Sequence, residues 1–178
     1  MKVCIFGYNL TSLALAKALV KKEIFVDIFY KKKNTQIDTT RTIGISKSNI
    51  DYFNKEILNI KKLLWPIKKI KIFTENSNNK EILKFEDQKD NLFSILQNQK
   101  IFNQLIIELK KSKFFKFKKY KRYKKSNNLS YDLMINCDAN NEITKKFFSK
   151  RFEKKYNSIA FTTIIDHKKL SFNNEATQ

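Results

Sequence analysis

The chain has 178 residues, the length of one ordinary domain. Its 37 Lys and Arg against 17 Asp and Glu leave a formal charge of +20, while 42% hydrophobic and 13% aromatic residues exclude a chain that stays unfolded. Only 2 Gly and 1 Pro occur, where average usage would supply roughly a dozen and nine, so collagen-like, linker-rich and Gly/Pro-rich β-sandwich classes are excluded.

Lys, Asn, Ile and Phe stand wherever a polar or an apolar residue is tolerated, as in AT-rich coding sequence, so the charge describes the whole chain before it describes a site. Cys4 and Cys137 lie far apart, each in an apolar run, which excludes a disulfide framework and a CxxC metal pair and predicts a reducing cytosol. No basic-apolar-small leader opens the chain, and no apolar run approaches the roughly 18 residues of a membrane span. The expectation is a soluble, cytoplasmic protein whose basic surface can touch anionic lipid.

In chain order, Lys2 to Phe6 reads as a buried strand stopped by Gly7. A helix follows from Leu10 to Lys22, with Leu13, Leu15, Ala16, Leu19 and Val20 on one stripe and Thr11 or Asn9 as cap. Ile24 to Tyr30 is a second strand, completing a right-handed βαβ unit with parallel strands. Lys31 to Thr40 is a polar loop, Ser46 to Leu58 a helix capped by Ser46 or Ser48, and Trp65-Pro66 a turn with Trp65 as packing anchor. Ile70 to Thr74 and Ile82 to Glu86 read as strands of an antiparallel insertion. Phe93 to Leu96 is a short strand, Gln99 to Lys110 an amphipathic helix, Phe114 to Tyr120 and Tyr131 to Cys137 strands, Glu142 to Lys150 a helix and Tyr156 to Asp166 a last strand. The fold class is therefore α/β, with a parallel sheet and an antiparallel layer.

The first turn carries the strongest chemical signal. A dinucleotide-binding fingerprint sets glycines at positions one, three and six after the first strand, so that backbone amides meet a pyrophosphate at a helix N-terminus, and an acidic residue ends the second strand. The matching positions are Gly7, Asn9, Ser12 and Tyr30. Gly7 keeps the tight turn, Asn9 is the non-Gly residue best suited to positive φ, Ser12 is small enough for close packing, and Tyr30 replaces the carboxylate. A βαβ start that grips no nucleotide is the alternative reading.

The opening VCIFGYNLTSLALAKALVKKEIFVDIFY is followed by TRTIGIS at Thr40 to Ser46, LFSILQNQKIFNQL at Leu92 to Leu105, YDLMINCDANNEITKK at Tyr131 to Lys146 and HKKLSFNNEATQ at His167 to Gln178. In this order the segments resemble the FAD-dependent aromatic-ring hydroxylases of ubiquinone biosynthesis, the 2-octaprenyl-6-methoxyphenol hydroxylase type, over about the N-terminal half of such an enzyme. The resemblance implies a Rossmann-like FAD/NAD(P)-binding fold across 1–178, with 67–90 as the antiparallel insertion and 153–178 as the start of the substrate-side β layer. It implies that Arg41 lies against the flavin nucleotide, that Gln97 and Asn98, from the stretch preceding a helix near the cofactor, are weaker candidates, and that the DGxxSxxR motif falls on Asp138, Ala139, Glu142 and Lys145, of which only the Asp is unchanged. Glu142 would then set a carboxylate beside phosphate, an unfavourable placement by Coulomb repulsion. The implied activity is hydroxylation of a polyprenylated phenol, with FAD as cofactor and NAD(P)H as reductant, at the inner face of a membrane, and with a second chain supplying the missing half. No acid, base or nucleophile is named.

Other features have plainer readings. The stretch FFKFKKYKRYKK, Phe114 to Lys125, interleaves aromatic and basic residues as a single-strand nucleic-acid platform does. Strand alternation gives instead an edge guarded by lysines, and no nucleic acid is expected. Lys31 to Lys33 stand where an NADP 2′-phosphate would lie, or simply in a solvated loop. His167 excludes a His-pair metal site, and no metal is expected. Cys4 reads as core. A degenerate relative that serves as a binding or assembly subunit, an NADP-binding module and a nucleic-acid binder are the rival functions.

Overall fold

Val3, Cys4, Ile5 and Phe6 are all buried, which makes the opening run a strand with both faces covered. The structure, a computed structural model, describes residues 1–31, 40–74, 80–87, 90–120, 130–148, 152, 154, 156–159, 161, 163, 165 and 174–178. Its strands are β1 (Lys2–Phe6), β2 (Phe25–Tyr30), β3 (Thr42–Ile45), β4 (Trp65–Ile67), β5 (Lys69–Phe73), β6 (Glu81–Glu86), β7 (Phe93–Gln97), β8 (Phe115–Lys119), β9 (Leu133–Asn136) and β10 (Glu175–Thr177). The α-helices are α1 (Leu10–Lys21), α2 (Lys47–Tyr52), α3 (Asn98–Lys110) and α4 (Glu142–Phe147). The chain divides into two compact units, one built on residues 1–37, 56–58 and 102–161, the other on 38–55, 59–101 and 162–178.

The first unit is a wholly parallel sheet in the order β8-β2-β1-β9. Alternation along the strands sends Val3, Ile5, Val26 and Ile28 to one face, where α1 packs with Leu13, Ala16 and Val20. Lys17 of α1 reaches Glu108 of α3 at 3.8 Å. On the opposite face Cys4, Phe6, Phe29, Tyr120 and Ile143 form a second cluster, against which Tyr131 and Met134 pack. Phe6 stacks on Phe29 at 5.2 Å and meets the edge of Tyr120 at 5.4 Å.

Asp27 lies on this second face in the middle of β2 and is buried. A lone buried carboxylate would be costly. The Tyr131 hydroxyl donates to it at 2.5 Å and Lys118 pairs with it at 2.9 Å.

The second unit contains the antiparallel sheet β3-β7-β4 and a sheet ordered β10-β5-β6. Pro66 sits in edge strand β4, where a residue without an N–H is tolerated. β5 and β6 form an antiparallel ribbon, and Glu175 of β10 pairs with Lys71 at 2.7 Å and Lys69 at 3.4 Å.

Several expectations are corrected. Trp65-Pro66 is strand and not turn, and Trp65 is 54% exposed because β4 turns it away from the core. The segment TRTIGIS, for which the sequence predicts no element, contains β3, which pairs with β7. The helix from Ser46 ends at Tyr52 and continues as a π-turn over Phe53–Ile57. The described residues between 156 and 165 are in no strand, and the closing strand β10 runs parallel to β5 instead of adding to an antiparallel layer. Asp166, His167, Lys32, Lys33 and 121–125 lie outside the described residues.

Glu23 ends α1 with φ 58, its N–H donating to the Val20 carbonyl at 3.0 Å and the next N–H to Leu19 at 3.2 Å. That left-handed position favours glycine, so Glu23→Gly should raise the unfolding free energy by up to about 1 kcal/mol in urea denaturation. Burial first, and the Asp27 carboxylate second, push the Cys4 thiol up from its ordinary 9.0 to about 11. Between these values the native chain keeps a proton that the unfolded chain releases. This contribution to stability is therefore full below pH 9.0 and falls as pH rises toward 11. Denaturation midpoints compared across that window should drop less in Cys4→Ala than in the parent.

Candidate functional site

The carboxyl ends of β1, β2, β8 and β9 meet around a cavity of about 270 Å³ lined by Gly7, Asn9, Tyr30, Lys31, Tyr120 and Asp138, with the Tyr8 and Phe29 rings. β1 has β2 on one side and β9 on the other, so the cavity lies where chain connections leave in opposite directions, the usual ligand crevice of an open parallel sheet.

Gly7 builds the corner. Its φ of +129 is closed to most side chains, and a Cβ there would lie 3.3 Å from the Cys137 carbonyl carbon and 3.4 Å from the Asp138 nitrogen. A side chain there would strain the backbone and push the Cys137–Asp138 segment by a few tenths of an ångström.

Asn9 behaves otherwise than expected. Its φ of −143 and ψ of 174 are extended, so no positive φ is needed, and its value lies in capping α1. Its Oδ1 accepts from the Ser12 N–H at 2.9 Å, its own N–H donates to Ser12 Oγ at 3.1 Å, and its Nδ2 donates to the Cys137 carbonyl at 2.6 Å. Ser12 is fully buried, as close helix-to-sheet packing requires. The N–H groups of Tyr8, Leu10 and Thr11 have no hydrogen-bond partner among the described residues.

Tyr30, at the end of β2, packs its ring against Tyr8 at 5.7 Å and Phe117 at 6.1 Å. Burial, and next the neighbouring Tyr30, raise the Tyr8 hydroxyl above its ordinary value, so it stays protonated at neutral pH.

Asp138 follows β9. Asn136, Asn141 and Thr144 organise its loop: Thr144 Oγ1 donates to the Asp138 carbonyl at 2.7 Å, Asn141 Nδ2 donates to Asn136 Oδ1 at 2.6 Å, and the Asn140 N–H donates to Asp138 Oδ1 at 2.9 Å.

Glu142 opens α4 and is bonded to Lys31 at 2.6 Å, a contact that raises the Lys31 ammonium above its ordinary value. The carboxylate expected to repel phosphate is thus neutralised by a cation from the far side of β1. Both partners are more than 40% exposed, so the pair is easily opened.

Arg41 and Gln97 lie in the second unit, where Thr42 of β3 pairs with Gln97 of β7 and the Asn98 N–H donates to the Arg41 carbonyl at 3.0 Å. Asn98 Oδ1 is a buried acceptor with no partner among the described residues. That orphan is open to a donor from a ligand. The Asn136–Asn141–Thr144 network escaped sequence reasoning, since asparagine is too frequent here to signal anything.

The first unit fits a diphosphate through its backbone: three free amide hydrogens at a helix N-terminus beside a glycine corner suit an anion. Its ribose end lacks the usual carboxylate. Lys31 is engaged by Glu142, so it is not a preset 2′-phosphate site. Tyr120, which base stacking would need, is buried against Phe6 and Phe29. Burial pushes the Cys137 thiol above its ordinary value, away from the thiolate that a nucleophile needs. No group of three or more potential metal ligands occurs among the described residues. No helix among them is long and apolar enough to cross a membrane.

No protein-family model and no curated protein matches the sequence. Solved structures do match in fold. The chain is similar to pqsL, a probable FAD-dependent monooxygenase from Pseudomonas aeruginosa, at 8% identity and TM-score 0.65, over 88% of this chain and 48% of that one. It is similar to p-nitrophenol 4-monooxygenase PnpA from Pseudomonas putida DLL-E4, at 15% identity and TM-score 0.55, over 66% of this chain and 31% of that one. Klebsiella pneumoniae HpxO complexed with FAD is similar at 13% identity and TM-score 0.52, over 66% and 31%. The chain therefore spans less than half the length of each of these three. The shared feature is the α/β fold with its parallel sheet.

Gly7→Ala should destabilise the chain by about 1–3 kcal/mol. Gly44→Ala, where the nearest atom to the new Cβ is the Phe93 ring at 3.6 Å, should cost less. Urea denaturation of both variants checks the ranking.

Proposed function

We propose that the chain is the nucleotide-binding portion of an FAD-dependent monooxygenase. The observation that carries this reading is the set of free amide hydrogens on Tyr8, Leu10 and Thr11 at the crevice of a parallel β8-β2-β1-β9 sheet. The likeness in fold to FAD-dependent monooxygenases supports it. Leu10 and Thr11 would hold the diphosphate through backbone N–H groups, Gly7 would let it approach, and Asp138 would order the nucleotide end. The resemblance assigns Arg41 and Gln97 to the flavin nucleotide. Bound FAD would supply the oxygen chemistry, and the protein's part is binding, orientation and exclusion of water. The finer reading, a polyprenylated phenol as substrate, NAD(P)H as reductant, a membrane face as workplace and a second chain completing the fold, rests on the sequence resemblance.

One observation favours the rival reading, a relative that keeps the fold without the flavin: the Asn9 and Ser12 box already satisfies part of the helix terminus. A titration separates them. Proline is tolerated at the first helical position, and Asn9 already has the extended backbone that a following proline demands. Leu10→Pro should keep the melting temperature while weakening FAD about tenfold or more, the loss of one charge-assisted hydrogen bond. Quenching of FAD fluorescence measures it. An unchanged affinity, or no binding by the parent chain, would overturn the flavin assignment.

A further inference from the structure

At the other end of the same strands, away from the Gly7 corner, lies a cavity of about 410 Å³. Its walls come from the first residue of β1, from Phe25 and Asp27 of β2, from the turn into β8 and from Lys116 and Lys118 of β8. Lys2, Lys113, Lys116 and Lys118 surround it, and Phe25 and Phe114 form an aromatic wall with ring centroids 4.9 Å apart. This volume is within the range of small-molecule sites.

The charge in the cavity is unbalanced. Its one carboxylate, Asp27, is buried and committed: Tyr131 donates to it at 2.5 Å and Lys118 pairs with it at 2.9 Å. Lys118 also donates to the Tyr131 hydroxyl at 3.0 Å, so its ammonium is held in place at the rim. Lys113 and Lys116 have no carboxylate partner among the described residues, and Lys113 lies over the Phe114 ring at 5.2 Å. Lys2 is 4.0 Å from Asp27 and 4.8 Å from the Tyr131 ring centroid. Four ammonium groups against one occupied carboxylate leave a cationic pocket with an apolar side.

We propose that this cavity binds a phosphate monoester carried on an aromatic or apolar body, the phosphate between Lys113 and Lys116 and the body against Phe25 and Phe114. The ammonium groups suit a phosphate as compact point charges. The half-exposed Phe25 ring accounts for the second moiety, which inorganic phosphate lacks. The cavity adjoins the dinucleotide crevice through the Lys118 and Phe29 pair of β8 and β2, but no lining residue is common to the two.

A chain of charge +20 attracts any anion, so the test must separate a site from bulk charge. Calorimetric titration of the full chain with phenyl phosphate and with inorganic phosphate should show the ester bound about tenfold more tightly. Changing Lys113→Gln together with Lys116→Gln, both exposed, should weaken it about tenfold or more. The same loss of charge at Lys61→Gln with Lys62→Gln, in the other unit, should change it less than about twofold. Saturating FAD should leave it unchanged. Equal binding of ester and inorganic phosphate, equal loss with either lysine pair, or displacement by FAD would overturn the proposal. Given site binding, flotation with phosphatidylcholine vesicles containing phosphatidic acid identifies the source. Retention abolished by the Lys113 and Lys116 pair assigns a lipid headgroup, and its absence assigns a soluble ester.

Discussion

The close passage of β9 past the end of β1 is the constraint on which the first unit depends. It is possible because Gly7 has no Cβ: a side chain there would press on Cys137 and Asp138, and its φ of +129 is outside what most residues adopt. The same corner sets the start of α1, frees the amides of Leu10 and Thr11 and brings the Asp138 loop into the crevice. Fold and site therefore share one residue. In a chain with 2 glycines, the placement of one of them here is informative.

Around that corner, polar side chains find partners within the chain. Asn9 caps α1 and anchors on β9, Asn136 and Asn141 brace the loop before α4, and Glu142 is matched by Lys31. Each is held by a specific hydrogen bond or ion pair. A buried polar group must be satisfied, and these are. The result is a crevice whose free polar groups are mostly backbone amides, with the Tyr30 phenol at the end of β2.

The second face of the sheet shows how a composition bias acquires structure. Most lysines are solvated, yet Lys118 is drawn to a buried carboxylate and Tyr131 closes the triad. Asp27 in a parallel strand would be costly alone. With these two partners it fixes one cation of a lysine-lined cavity while its own charge is spent internally. Charge alone does not make a site; a cavity with an aromatic wall and a committed counterion does.

Much of the fold was legible in the sequence because period and burial speak directly. The apolar runs at Val3–Phe6 and Val26–Phe29 are the buried strands, the stripe Leu13, Ala16 and Val20 is the buried face of α1, and Phe115 against Lys116 gives the alternation of an edge strand. Gly7 and the cap of α1 were legible for the same reason, since both are set by local backbone chemistry. What escaped was non-local. Whether Trp65-Pro66 turns or pairs was decided by β7, and whether the chain end lies parallel or antiparallel was decided by β5. Asn9 reads as a positive-φ residue until β9 offers the Cys137 carbonyl, and Glu142 reads as a repulsive charge until Lys31 arrives from the end of β2. Sequence determined the pattern of faces and the one corner that only glycine can turn. Tertiary structure decided which charges and amides meet, because a hydrogen bond needs a partner within about 3 Å and sequence distance does not supply it.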